Sequence, residues 1–121
     1  MILIDTSAWI DHFRLQDEVV QSVLDRDEAV THPFVIGELA LGRLQNRAEI
    51  LSELLELPST LVAAPTDVLA LIETAGLVAS GVGYVDAHLI ASCKLDRRVR
   101  LLTRDKRLSR AARTIIEVVD P

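Results

Sequence analysis

Cysteine is almost missing from this sequence: Cys93 is the only one in 121 residues. That excludes an intrachain disulfide and any zinc site built from several thiolates, and the apolar helical stretch around Cys93 suits a buried thiol. Aromatics are nearly as scarce, limited to Trp9, Phe13, Phe34 and Tyr84. Trp9 and Phe13 stand four apart on an expected helix, a spacing that makes them core or protein-contact residues rather than a base-stacking platform. Apolar runs stay well short of the ~20 residues of a membrane span, and residues 1–5 lack the basic start of a signal peptide. A cytoplasmic protein with no membrane segment is expected. His12, His32 and His88 have no spacing suggestive of a metal pair and read as packing or surface residues. Ser7 lacks the His and Asp partners of a catalytic triad.

Half of the residues are hydrophobic. At this length they can bury one core, so residues 1–121 are expected to form a single domain. The net charge of −5 argues mildly against a nucleic-acid partner, but the charges are unevenly spread. Residues 1–93 carry 4 basic and 14 acidic side chains, residues 94–121 carry 9 basic and 4 acidic. Such asymmetry permits an acidic pocket beside a basic rim.

Ile2-Leu3-Ile4 is a short apolar run ending in Asp5-Thr6-Ser7, residues that cap helices, so a buried strand should lead into a helix with Asp5 at the strand's carboxyl end. Helical spacing continues over 17–27, and 28–31 reads as a short strand. Pro33 opens the next helix, in which Gly37 and Gly42 suggest close packing, and 50–55 repeats the pattern. A third strand is expected at 60–63, then a helix from Pro65. Gly81-Val82-Gly83 breaks the periodicity, which resumes over 85–95. Residues 100–103 are strand-like, a short basic helix follows to about Arg113, and 115–119 reads as the last strand. Strands alternating with helices imply crossover connections, hence an α/β fold of three layers, α/β/α, with a mainly parallel central sheet.

Ligands of such sheets bind beyond the carboxyl ends of the strands, where Asp5 and Asp105 are expected. Glu38 interrupts a core-like helix, and Asp86 begins a helix just after a glycine-rich turn. Solubility demands neither placement, although Asp5, Asp86 and Asp105 would each also serve as ordinary helix-start acids. Four converging carboxylates would repel by about 4 kcal/mol per close pair at intermediate dielectric, a conflict that a divalent cation removes. An all-carboxylate set favours Mg²⁺ or Mn²⁺ over zinc. Such an ion activates water and neutralises phosphoryl oxygens, so phosphodiester hydrolysis is the chemistry best served.

The segments MILIDTSAWID at 1–11, GELALG at 37–42, VDAHLIA at 85–91 and LTRDKRL at 102–108 together resemble the PIN-domain toxins of the VapC type. The resemblance spans essentially the whole chain with its motifs in the family's order. It implies Asp5, Glu38 and Asp86 as the core metal-site acids, Asp105 as a fourth, and Thr6 and Thr103 as supporting polar positions. Where some relatives carry a further acid two positions past Asp105, this chain has Arg107, one ligand fewer for a second metal. An endoribonuclease that arrests translation is implied, with a VapB-type antitoxin partner and a homodimeric state. Operator DNA would be bound only through the antitoxin.

Lys94, Arg97, Arg98, Arg100, Arg104, Lys106, Arg107 and Arg110 follow one another near the last acid and could hold an RNA backbone, with Arg104, Lys106 and Arg107 nearest. The alternative is a solvated basic face. Two rival functions remain at this point. A phospho-acceptor signalling domain would need an Asp ending a middle strand, whereas 60–63 runs into Ala64-Pro65 with no Asp before Asp67. A catalytically silent, protein-binding relative would be expected to have lost acids, and all four are present.

Overall fold

Three short parallel strands organise the chain, in the order β2, β1, β3 across the sheet, where β1 is Ile2–Ile4, β2 is Ala29–Val30 and β3 is Arg100–Leu102. The computed structural model describes residues 1–120; Pro121, the last residue of the expected domain, lies outside the described residues. Leu3 pairs with Val30 on one side and Leu101 on the other, which places the first strand of the chain at the centre. Leu3 and Ile4 are completely buried, each contributing about 1.5–3 kcal/mol of apolar burial.

Among the described residues, seven helices surround the sheet: α1 (Thr6–Leu15), α2 (Glu18–Asp25), α3 (Pro33–Leu41), α4 (Arg47–Glu56), α5 (Pro65–Thr74), α6 (Tyr84–Leu95) and α7 (Lys106–Ala112). Helix α1 packs on α2 and α3, and α3 on α4, while α5 packs on α6, which lies against β3. The expected three-layer α/β/α arrangement with a parallel sheet is thus observed. Helix starts follow the local chemistry. Asp17 caps α2 by accepting from the Val19 and Val20 amides, and Pro33 and Pro65 occupy first-turn positions where a missing N–H costs nothing. Cys93 is buried within α6, and burial pushes its thiol up to about 12, as an inert core residue requires.

Three expectations fail. Residues 60–63 and 115–119 are not strands: each flank of the sheet is extended by a single parallel bridge, Ser59 to Thr31 and Val118 to Leu101. Leu61 and Val62 are exposed, so their apolar run does not mark a buried strand. Nor do Gly37 and Gly42 serve close packing. A Cβ on Gly37 would meet nothing within 4 Å, and one on Gly42 would make only ordinary contact, 3.6 Å from the Leu39 carbonyl.

Candidate active site at the carboxyl edge of the sheet

Asp5 leaves the end of β1 and is at once the N-cap of α1. It is only 2% exposed, and both of its oxygens accept hydrogen bonds. Oδ1 accepts from the Ser7 hydroxyl at 2.7 Å and the Ala8 amide at 3.0 Å, while Oδ2 accepts from the Thr103 hydroxyl at 2.6 Å. Burial raises its pKa, opposed by these hydrogen bonds, and the charge of Asp105 raises it further. Thr103, just past β3, also accepts from the Asp105 amide at 3.0 Å, so one hydroxyl joins the ends of two neighbouring strands.

Asp105 caps α7 by accepting from the Arg107 and Leu108 amides. Asp86, in the first turn of α6, receives the Gly83 amide at 3.4 Å, and Glu38 accepts the Thr6 hydroxyl at 2.6 Å. Asp86 reports the shared environment of all four. Its pKa is pushed up to about 6, first by desolvation and then by the charges of Asp5, Asp105 and Glu38. Among the described residues, no three His, Cys, Asp or Glu side chains close into a metal-binding cluster. The acids therefore share one field without forming a finished cage. Their oxygen-only donor set suits a hard divalent cation, and a cation would offset the burial and the repulsion that raise the Asp86 carboxyl.

Asp5, Asp86 and Asp105 all do act as helix-start acids, and that role fixes the carboxylates at the sheet edge. Sequence reasoning misses Ser7 as a site residue. Its hydroxyl donates to Asp5, lies 3.4 Å from the Thr103 hydroxyl and accepts the Arg104 amide at 3.0 Å. Its place beside Asp5 and Thr6 is the available signal.

The basic residues divide. Arg97, Arg98 and Arg100 precede or begin β3, at the sheet edge opposite the acids, with Arg97 on the Ile115 carbonyl and Arg98 paired to Asp96. Arg104 is not available for an RNA phosphate. Its guanidinium makes a bidentate pair with Asp17, at 2.7 and 2.8 Å, and holds that carboxylate below its usual range. Lys106 and Arg107 are exposed at the start of α7, and Arg107 lies over Gly81, where a Cβ would come within 3.1 Å of its Cδ.

The PIN domain family model matches residues 2–114. The chain is also 45% identical over 111 residues to Ribonuclease VapC32 of Mycobacterium tuberculosis, covering 92% of this chain and 90% of that protein. This chain is a PIN-domain protein of the VapC type. Solved structures agree in fold: FitAcB from Neisseria gonorrhoeae has a TM-score of 0.68 at 23% identity, covering 100% of this chain and 98% of that one. PAE2754 from Pyrobaculum aerophilum has a TM-score of 0.62 at 19% identity, covering 97% and 83%. FitAB bound to an IR36 DNA fragment has a TM-score of 0.63 at 18% identity, covering 98% and 94%.

In this PIN domain the central strand is β1 and the residue ending it is Asp5, so the lack of an Asp directly after 60–63 does not exclude a signalling domain. Membership of the PIN family does. Among the described residues, no helix is long and apolar enough to cross a membrane.

Proposed function

We propose that this PIN-domain protein is a metal-dependent endoribonuclease of a toxin–antitoxin pair, with Asp5, Glu38, Asp86 and Asp105 as its Mg²⁺ or Mn²⁺ ligands. The observation that carries the reading is the carboxyl edge of the sheet, where the Thr103 hydroxyl links Asp5 to the Asp105 amide and Thr6 holds Glu38, with the Asp86 carboxyl raised by burial and by the charges of these acids. The 45% identity to a ribonuclease supports the reaction class.

When bound, the cation supplies an activated water and charge neutralisation at a phosphoryl oxygen. The chain's own residues orient the rest. Thr103, Ser7 and the Ala8 amide hold Asp5 in one rotamer, and Thr6 holds Glu38. Lys106 and Arg107 line the approach from α7, where they would neutralise backbone phosphates. Inhibition of translation, a homodimer and neutralisation by a VapB-type antitoxin in the cytoplasm complete the proposal. Contact with operator DNA would come only through that antitoxin.

The test is cleavage of mixed structured RNAs by purified protein in Mg²⁺, Mn²⁺ and EDTA, beside Asp5→Asn. Asn is the better control than Ala because it keeps an oxygen for the Ala8 amide and so preserves the cap of α1. Metal-dependent cleavage lost in Asp5→Asn is expected. Cleavage that survives EDTA or the substitution would overturn the assignment.

A further inference from the structure

Two of the four aromatic side chains in this aromatic-poor protein are left partly in solvent beside the acids. Phe34 is 38% and Tyr84 49% exposed. Phe34 lies one helical turn before Glu38 on α3, a spacing that places both on one face. Tyr84 begins α6, two residues before Asp86. Both rings rest on His88, with centroids 4.6 Å from it for Phe34 and 4.8 Å for Tyr84, each tilted by more than 60°.

The support beneath them is unusual for a core. His88 is 1% and His32 0% exposed, their rings 6.2 Å apart, and both nitrogens of His88 and Nε2 of His32 have no hydrogen-bond partner within the protein. Each unpartnered buried nitrogen costs about 1–3 kcal/mol. An aliphatic core would avoid that cost, so stability alone does not account for these residues. Among the described residues, the other large exposed apolar side chains are aliphatic apart from Met1.

We propose that Phe34 and Tyr84 form a stacking subsite for an unpaired nucleobase next to the cleaved phosphodiester, with His88 as the residue that positions both rings. The inference rests on the ribonuclease reading above. A flat aromatic face accepts any base, and stacking adds affinity to what the cation, Lys106 and Arg107 supply against the charge of the acids. The occupant follows from continuity with the phosphodiester site: Phe34 shares a helix face with Glu38, and Tyr84 joins Phe34 on the His88 ring.

The experiment measures fluorescence anisotropy of labelled uridylate and adenylate hexamers, and of a hexamer with the same ribose-phosphate backbone but no bases. Binding is read with Mg²⁺ in an Asp5→Asn background that halts turnover, alongside RNA cleavage by the protein with Asp5 intact. Phe34→Ala and Tyr84→Ala are each expected to weaken the base-bearing hexamers about tenfold and leave the abasic hexamer unchanged, while Tyr84→Phe retains affinity. Unchanged discrimination between base-bearing and abasic hexamers, in a protein that still cleaves RNA, would overturn the subsite and leave the ribonuclease reading intact. Loss of self-association in sedimentation with base discrimination unchanged would assign the two rings to a subunit contact and also overturn it. Absence of any metal-dependent cleavage would remove both.

Discussion

Replacing Asp86 by Asn should stabilise the metal-free protein, and the size of the gain follows from the burial of its carboxyl, to which the neighbouring acids add. Its carboxyl is raised from 3.8 to about 6. Two units correspond to ~3 kcal/mol, reduced to roughly 2 kcal/mol by solvent screening of a partly exposed group. The folded state holds this proton more tightly than the unfolded chain. Its contribution to stability is therefore fully present below about 3.8 and is lost as the pH rises through about 6. Asn mimics the protonated acid at every pH and can still accept the Gly83 amide. In EDTA at pH 8, Asp86→Asn should melt about 8 °C above the parent, taking about 4 °C per kcal/mol for a chain of this size. Near pH 3.5 the two should coincide. Added Mg²⁺ should invert the order at pH 8, since a ligand at a hundred times its Kd contributes about 2.7 kcal/mol and the variant binds it weakly. Thermal melts followed by circular dichroism across this range decide the matter. Destabilisation at pH 8 in EDTA, or an offset independent of pH, would refute the raised Asp86 carboxyl.

Two further outcomes separate structural from RNA-facing basic residues. Arg104→Ala should lower the melting temperature, because it strands the half-buried Asp17 carboxylate at a cost of about 2 kcal/mol, yet leave the salt dependence of RNA binding unchanged; Lys106→Ala should do the reverse, reducing the log–log salt slope by about 0.7. Gly81→Ala should cost about 1 kcal/mol in urea unfolding, because φ is +87° there and the new methyl meets Arg107 at 3.1 Å; wild-type stability would refute that contact.

Local chemistry makes most of the fold legible in the amino-acid sequence. Pro33, Pro65 and the Asp5-Thr6-Ser7 turn announce helix starts because proline geometry and side-chain capping act within a few residues. The segments 60–63 and 115–119 defeat the same approach: an apolar run predicts burial, but pairing depends on a neighbour that is itself only two or three residues long. The positions of Asp5, Asp86 and Asp105 are legible because strand ends and helix starts are local signals, whereas Glu38 lies within α3 and is marked only by its apolar neighbours. Arg104 misleads for the opposite reason, since its partner Asp17 lies 87 positions away and nothing nearby in the chain announces it. Ser7 escapes notice because a serine without His and Asp partners looks idle, whereas its part here is to hold Asp5 rather than to attack.

The placement of β1 sets an order of events during synthesis. Residues 2–5 leave the ribosome long before residues 100–105, yet β1 completes its pairing only with β3, and Asp5 is secured by Thr103, 98 positions later. A growing chain therefore carries its first acid without its full set of partners until the final segment has emerged. Any product truncated before residue 103 would keep the local hold of Ser7 and Ala8 on Asp5 but lack the Thr103 hydrogen bond, the Asp105 carboxylate and the pairing of β3, so the carboxyl edge of the sheet is the last part of the molecule to be completed.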